Sequence, residues 1–157
     1  DAKHIYLLGV RSSAFLAGYL NFYFHLIFKN VTLVQSAAGE IFDQMLRIGP
    51  GDVLVGISFP RYSQIAVNAV RFARDRGADV IAVTDSKMSP IYKMASASLL
   101  VSSDMISFVD SMAAPVSLLN ALIMAVGQQK SEETAESFSE LERVWSQYGV
   151  FGDAEDE

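Results

Sequence analysis

The chain has 157 residues, a formal net charge of −6, 51% hydrophobic residues and only 19% charged residues. This length suits one domain with a continuous core, the composition excludes disorder of its main body, and the acidic balance argues against direct nucleic-acid binding by these residues. The absence of cysteine excludes a disulfide framework, an iron–sulfur cluster and a cysteine nucleophile.

Short apolar runs alternate with longer helical stretches, and this alternation predicts a parallel α/β sheet. Strands are predicted at residues 5–8, 31–34, 52–57, 80–83 and 98–101. Helices are predicted at residues 12–28, 39–47 and 63–76, with a short one near 90–94. The run 52–57 is continuous, apolar and rich in β-branched residues, as expected for a strand that is covered on both faces.

The third predicted helix, residues 63–76, has an apolar face with helical spacing. Ile65, Ala69, Phe72 and Ala73 lie on that face. Gly77 follows the last turn, a position where glycine commonly ends a helix. We therefore expect this helix to pack against the sheet through these four residues.

Beyond the fifth strand the sequence predicts two helices. The first, residues 107–129, is long and apolar, and we expect Pro115 to kink it or to divide it into two segments. The second, residues 131–148, is more polar. Residues 151–157 are expected to form an acidic disordered tail after a single domain at 1–150.

The apolar stretches are too short and too often interrupted to cross a membrane. Residues 113–126 contain Pro115, Ser117 and Asn120 and fall short of the about 20 apolar residues that a span needs. No signal-peptide pattern precedes the first strand. We therefore expect no membrane partner and a cytoplasmic location. Because the sequence opens without Met and enters a strand at Ile5, we also expect a segment upstream of it.

Polar turns follow three of the predicted strands, at the sheet edge where parallel α/β proteins bind their ligands. Their sequences are Gly9-Val10-Arg11-Ser12-Ser13, Ser58-Phe59-Pro60-Arg61-Tyr62-Ser63 and Thr84-Asp85-Ser86-Lys87. Helix N-termini expose free N–H groups and a partial positive charge, both of which attract anions. The serine hydroxyls and arginine guanidinium groups of the turns provide further hydrogen-bond donors. The turns therefore predict an anion site. The alternative for any one serine is that its hydroxyl only caps a helix.

The turns resemble those of the SIS (sugar isomerase) domain of RpiR-type bacterial transcription regulators, and the resemblance covers residues 4–130. That family carries Gly-x-Gly-x-Ser after its first strand and Ser-x-Ser-Gly-x-Thr after its third. The corresponding turns here are residues 9–13 and 58–63. Residues 81–86, followed by Ser89-Pro90, are also similar to the end of the family's fourth strand.

The resemblance implies a three-layer α-β-α sandwich with a five-stranded parallel sheet in flavodoxin-like order. It implies a homodimeric effector domain that binds a phosphorylated sugar or sugar acid without catalysis. It also implies that DNA is contacted only through a helix-turn-helix domain that lies upstream of this chain. The predicted ligand-binding residues are Gly9, Arg11, Ser12, Ser13, Ser58, Arg61, Ser63, Thr84 and Asp85.

The two turns depart from the family pattern at four positions. Arg11 and Arg61 stand where the family has glycine, and Ser63 replaces a threonine. Pro60 replaces a serine, so the second turn lacks one hydroxyl and one backbone donor. The loss of two glycines also limits how closely the backbone approaches a ligand.

We hypothesise that the two arginines supply charge that the altered backbone no longer provides. The alternative is that they form ion pairs with nearby carboxylates. The carboxylates considered for that pairing are Glu40, Asp85 and Asp104.

Sugar-phosphate isomerisation needs a base near C1 and C2, commonly Glu or His. His4 precedes the first strand, at the wrong end of the sheet, and His25 lies deep in the first helix, where we expect a packed or interface histidine. Glu40 fits a charge at a helix N-terminus better than a base. We therefore expect no catalysis; the alternative is a SIS-class isomerase that uses Glu40 as its base. With no cysteine and two distant histidines, no metal site or cofactor is predicted.

Aromatic residues cover more than one face of the first helix, which predicts contact with a second partner besides the core. These are Tyr19, Phe22, Tyr23, Phe24 and Phe28. The mean hydropathy of +0.27 also favours extra apolar surface between subunits. We expect this helix and residues 115–126 to form the dimer interface; the alternative is ordinary core packing. A further alternative for the whole chain is a dimerisation module with a degenerate ligand site.

Overall fold

The computed structural model describes residues 2–35, 40–103, 105–106 and 109–151. The strands are β1 Ile5–Gly9, β2 Val31–Val34, β3 Val53–Ile57, β4 Asp79–Thr84, β5 Ala97–Leu100, β6 Met105–Ile106 and β7 Val109–Asp110. The α-helices are α1 Ser13–Ile27, α2 Ile41–Gln44, α3 Gln64–Asp75, α4 Ala113–Gln129 and α5 Ser131–Tyr148, and Tyr92–Met94 forms a 3-10 turn.

Strands β1 to β5 form one parallel sheet in the order β2-β1-β3-β4-β5. This is the predicted flavodoxin-like order, in which β1 lies between β2 and β3. Ile5 is opposite Val31 on one side and Val53 on the other. Since the strands are parallel, the turns after β1, β3 and β4 emerge side by side at the carboxyl edge of the sheet.

Two buried clusters cover the two faces of the sheet and confirm the three-layer sandwich. Alternate residues of β1 separate into them, because successive side chains of a strand point to opposite faces. Tyr6 and Leu8 pack in the layer of α2 and α3. Leu7 packs in the layer of α1 and α4. Complete burial of a leucine side chain such as Leu7 contributes about 1.5–3 kcal/mol to folding.

The prediction of one helix at residues 107–129 is wrong at its start. Strands β6 and β7 form a two-stranded antiparallel hairpin, and α4 begins only at Ala113; the predicted start at residue 107 lies outside the described residues. Pro115 does not kink α4, because it is the third residue of the helix. The backbone N–H groups of the first helical turn have no partner within the helix, so proline is tolerated there.

Two smaller predictions also differ from the structure. The second helix is only four residues long, and turns continue to residue 47, which bring Met45 and Ile48 into the core; its predicted start at residue 39 lies outside the described residues. In α3, Ala69 and Ala73 are buried as predicted, but Ile65 is 36% exposed. Besides Ala69 and Ala73, the buried face of α3 consists of Ala66, Val67 and Val70.

The C-terminal ends of α3 and α5 behave as their sequences predict. Gly77 follows α3 with a φ of +83°, and its N–H donates to the carbonyl oxygen of Arg74. Helix α5 has the predicted bounds and ends before Gly149, which has a φ of +60°. Of the predicted acidic tail only Phe151 is described. None of the helices in the described ranges is long and apolar enough to span a membrane.

Candidate functional site at the carboxyl edge of the sheet

A cavity of about 260 Å³ lies between the turn after β1 and the turn after β3. The first turns of α1 and α3 also border it, so two helix N-termini are directed toward one space. Six of the nine predicted ligand residues line this cavity: Arg11, Ser12, Ser13, Ser58, Arg61 and Ser63. The parallel sheet therefore brings together two segments that lie about 50 residues apart in the chain.

None of the serine hydroxyls of the cavity is engaged in helix capping, and three of the four are available to a ligand. Ser12 and Ser63 occupy the N-cap positions of α1 and α3, but neither side chain caps its helix. The hydroxyls of Ser13, Ser58 and Ser63 make no hydrogen bond to any other described residue. Ser13 and Ser58 are only 6% and 4% exposed. Because these two residues are otherwise enclosed, the cavity is where their hydroxyls can meet a group that accepts hydrogen bonds.

Arg11 and Arg61 have φ angles of 57° and 62°, in the left-handed region that favours glycine. They are the only non-glycine residues with positive φ in the part of the chain that the structure describes. For an L-residue this conformation costs about 1–2 kcal/mol. The glycine-type backbone of both turns is therefore retained, although glycine itself is not.

Neither arginine forms an ion pair with a carboxylate in the described ranges. The ion pairs found there are Arg74–Asp75, Lys130–Glu133 and Arg143–Glu140. The alternative of pairing with Glu40 or Asp85 is thus not supported, and Asp104 lies outside the described residues. Two guanidinium groups at the cavity keep their charge available to an anion.

Gly9 shapes the first turn and does not line the cavity. A Cβ atom at Gly9 would lie 2.2 Å from the carbonyl oxygen of Ser13, a distance that no real side chain tolerates. The end of β1 therefore packs directly against the first turn of α1. This close approach fixes the place of Ser12 and Ser13.

Thr84 and Asp85 support the turn after β3 from the neighbouring strand, and neither lines the cavity. Thr84 is fully buried, and its Oγ1 donates to the carbonyl oxygen of Ser58 over 2.7 Å. Asp85 Oδ1 accepts a 2.8 Å hydrogen bond from the hydroxyl of Tyr62. Burial, and then the hydrogen bond to Asp85, raises the pKa of Tyr62 above its usual range. Sequence reasoning missed the role of Tyr62, because a tyrosine within a turn carries no signal of its partner.

Asp110 is a cavity residue that sequence reasoning missed altogether. It is the last residue of β7, and its Oδ2 accepts a 3.0 Å hydrogen bond from the hydroxyl of Ser12. The two residues are 98 positions apart in the sequence. The prediction of a helix from residue 107 placed Asp110 inside a helix, so the sequence offered no reason to bring it to the sheet edge.

The candidate catalytic residues lie away from the cavity. Glu40 is exposed at the N-cap of α2. His4 Nε2 lies 2.8 Å from Thr32 Oγ1, at the start of the sheet strands. His25 is exposed near the end of α1, with Nδ1 3.1 Å from the carbonyl oxygen of Asn21, so it is not packed within this chain. Within the described ranges, no cluster of His, Cys, Asp or Glu is arranged to hold a metal ion.

The aromatic residues of α1 divide between the core and the surface. Phe24 is buried, whereas Phe22 is 62% exposed. The hydroxyl of Tyr19 donates to Asn120 Oδ1 and links α1 to α4. Ordinary core packing therefore explains Phe24, and Phe22 remains available to a partner.

Comparison with known proteins agrees with the architecture. The family model of the SIS domain matches residues 1–125. Among curated proteins, no sequence matches this chain significantly.

Solved structures with similar folds include two regulators and a protein with an inferred isomerase function. The sugar isomerase domain of an RpiR transcription factor from Sphaerobacter thermophilus has a TM-score of 0.85 and 23% identity, covering 90% of this chain and 79% of that one. The Vibrio vulnificus NanR protein, complexed with ManNAc-6P, has a TM-score of 0.79 and 18% identity, covering 97% and 58%. A Methanococcus jannaschii protein, with an inferred 3-hexulose-6-phosphate isomerase function, has a TM-score of 0.66 and 15% identity, covering 87% and 77%. At these identities the likeness establishes the fold.

Proposed function

This chain belongs to the SIS domain family, and on that premise we propose that it is the effector-sensing domain of a DNA-binding transcription regulator. Its effector would be a phosphorylated sugar or sugar acid that is bound without being converted. The ligand would occupy the cavity between the turns after β1 and β3.

The observation that carries this proposal is the set of unused donors around one cavity. Three serine hydroxyls lack a described partner, and two arginines lack a described counter-ion. A phosphate group presents three strong acceptor oxygens and about two negative charges, so it matches such a set of donors. The N-termini of α1 and α3 add backbone donors and a favourable field to the same space.

The backbone strain at the arginines gives independent support. Glycine would adopt the observed φ angles without penalty, whereas each arginine costs about 1–2 kcal/mol there. Residues in sparsely populated backbone regions concentrate at functional sites. A role for the two guanidinium groups in holding an anion would explain why this strain is tolerated.

The direct test is ligand binding to the intact chain. Glucose 6-phosphate, fructose 6-phosphate, N-acetylmannosamine 6-phosphate and 6-phosphogluconate are titrated in a thermal-shift assay and by calorimetry. We expect at least one to raise the melting temperature, because a ligand that binds only the native state must stabilise it. The matching unphosphorylated sugars are the controls. No shift with any phosphorylated compound, or equal shifts with the unphosphorylated controls, would contradict the proposal.

The alternative function is sugar-phosphate isomerisation, which is the function inferred for one of the structural neighbours. Binding without turnover is supported by the positions of Glu40, His4 and His25, all outside the cavity. Incubation with each ligand that binds, followed by chromatography of the sugar phosphates, separates the two functions. Release of an isomer at a rate above the buffer control would favour the enzyme.

Three further parts of the proposal concern the whole regulator. The chain would form a homodimer through α1 and α4, and DNA would be contacted through a helix-turn-helix domain upstream of the domain at 1–150. A ligand that favoured one dimer arrangement would then alter the spacing of the DNA-binding domains. The regulator would act in the cytoplasm, without a membrane partner.

A further inference from the structure

Asp110 places a negative charge in a cavity whose other polar residues are donors. Its carboxylate lies on the side of the first turn, where Oδ2 accepts the hydrogen bond from Ser12. Neither Arg11 nor Arg61 lies within ion-pair distance of Asp110 in the described chain. No salt bridge therefore neutralises this carboxylate, and it acts on whatever ligand enters.

The cavity is consequently divided into two chemically different parts. The hydroxyls of Ser13, Ser58 and Ser63 are free, and together with Arg61 they offer donors to a phosphate. The hydroxyl of Ser12 is already committed to Asp110. An ionised carboxylate has about four acceptor positions, so roughly three remain for a ligand after Ser12 has taken one.

From this division we infer that Asp110 is a specificity-determining residue that selects neutral phosphosugars and rejects phosphorylated sugar acids. Sugar hydroxyls are donors and would satisfy the remaining acceptor positions of Asp110. A second acidic group on the ligand would instead meet a like charge in a confined site, where repulsion is stronger than in water. This inference rests on the proposed function, and it narrows the ligand from a phosphorylated sugar or sugar acid to the first of these.

Two ligands that differ at one carbon test the inference. Sorbitol 6-phosphate and 6-phosphogluconate share a six-carbon chain and a phosphate, but C1 is a CH₂OH group in the first and a carboxylate in the second. Calorimetry with the unmodified chain should show tighter binding of sorbitol 6-phosphate, by about tenfold, the order expected from one charge-assisted hydrogen bond. In Asp110→Asn this ratio of affinities should fall toward one.

The test uses the ratio of the two affinities, because a general loss of stability would weaken the binding of both ligands by the same factor. Asp75→Asn is the charge-matched control, since Asp75 is at the opposite end of α3 from the cavity and should leave the ratio unchanged. Asp110→Glu keeps the charge and should preserve the preference. If Asp110→Asn folds poorly, Asp110→Ser removes the carboxylate with a smaller side chain, and the ratio should again fall toward one.

Several outcomes would overturn the inference. One is tighter binding of 6-phosphogluconate by the unmodified chain, and another is an unchanged ratio in Asp110→Asn. Tighter binding of both ligands by Asp110→Asn would mean that the carboxylate of Asp110 repels the phosphate group that the two ligands share. Binding of inorganic phosphate, with neither organic ligand bound, would also count against it. If inorganic phosphate and both organic ligands all fail to bind, the proposed function fails as well. If the organic ligands bind without the expected preference, only the role of Asp110 fails.

Discussion

Arg11 and Arg61 combine a strained backbone with a charge that has no described counter-ion. Stability and ligand binding therefore favour different residues at these two positions. The free energy of folding would improve with glycine at either position, whereas binding of an anion would suffer. Substitutions can therefore separate the contribution of each arginine to stability from its contribution to ligand binding.

We expect Arg61→Gly to raise the free energy of unfolding by up to about 1 kcal/mol, since relief of left-handed strain exceeds the entropy that glycine adds to the unfolded chain. Its affinity for phosphosugar should fall by about tenfold or more, because a charge-assisted hydrogen bond is lost. Urea unfolding and calorimetry provide the two measurements. Arg61→Ala should lose the same affinity without gaining stability, because alanine remains strained at a φ of 62°.

Arg74→Ala is the matched control for charge, as Arg74 lies in the last turn of α3 and pairs with Asp75 at the surface. It should leave phosphosugar affinity unchanged. An affinity for Arg61→Ala equal to that of the unmodified chain would show that Arg61 does not hold the ligand.

At the scale of elements, the packing of β1 against α1 positions the first donor turn. Gly9 allows the strand end to touch the carbonyl of Ser13, and Gly18, within the same helix, has open space around its Cβ position. These two glycines of one strand–helix unit therefore provide a matched pair of sites for substitution.

We expect Gly9→Ala to lower the free energy of unfolding by about 1–3 kcal/mol, because the added methyl group must displace backbone atoms at the start of α1. Ligand affinity should fall with it, since Ser12 and Ser13 would move. Gly18→Ala should be neutral or stabilising by up to about 1 kcal/mol, as expected inside a helix. Equal stability of Gly9→Ala and the unmodified chain in urea unfolding would contradict the close contact.

The turn after β3 is tied to the end of β4 by the hydrogen bond between Tyr62 and Asp85. The raised pKa of Tyr62 means that its neutral form is favoured in the folded state. As the pH rises past about 10, the unfolded chain loses this proton first, so the folded state loses stability relative to it. The hydrogen bond between Tyr62 and Asp85 therefore stabilises the fold below this pH, and its contribution is lost above it.

Tyr62→Phe should consequently be less stable than the unmodified chain at neutral pH, and the difference should shrink as the pH rises beyond about 10. Denaturant unfolding at several pH values measures this difference. Tyr6 also has a pKa raised by burial, but it is present in both proteins and cancels in the comparison. A constant difference across this pH range would mean that Tyr62 does not titrate as described.

At the scale of the whole molecule, the layer of α1, α4 and α5 carries large apolar side chains at its surface. Phe15 and Phe22 of α1 and Met124 of α4 are strongly exposed. Helix α1 contacts both α4 and α5, so these side chains share one outer layer of the sandwich. This surface is the basis for the proposed homodimer.

We expect Phe22→Glu to convert the proposed homodimer into a monomer, because it introduces a charge into the exposed apolar surface of α1. Light scattering coupled to gel filtration gives the mass of each form. Leu46→Glu is the control: Leu46 is 60% exposed beside α2, in the opposite layer, and should leave the dimer intact. Dissociation by both substitutions, or by neither, would argue against an interface at α1.

Local sequence patterns predicted most of the architecture. The five long strands lie within two residues of their predicted ends, because short apolar β-branched runs between helical stretches have few other stable arrangements. The region from residue 105 to Ala113 could not be predicted in the same way. It is as apolar as the helix that follows it, so periodicity alone did not separate the hairpin from α4.

The sequence by itself determined the parallel sheet, the order of its elements and the presence of serine and arginine at two of its turns, since these depend on neighbours a few positions apart. Tertiary structure alone decided which polar residues share the cavity. It brought Asp110 to Ser12 across 98 positions, placed Thr84 and Asp85 behind the turn after β3, and left Ile65 at the surface. Each of these outcomes depends on how helices and hairpins sit against the sheet, and that placement is set by long-range packing which no local pattern contains.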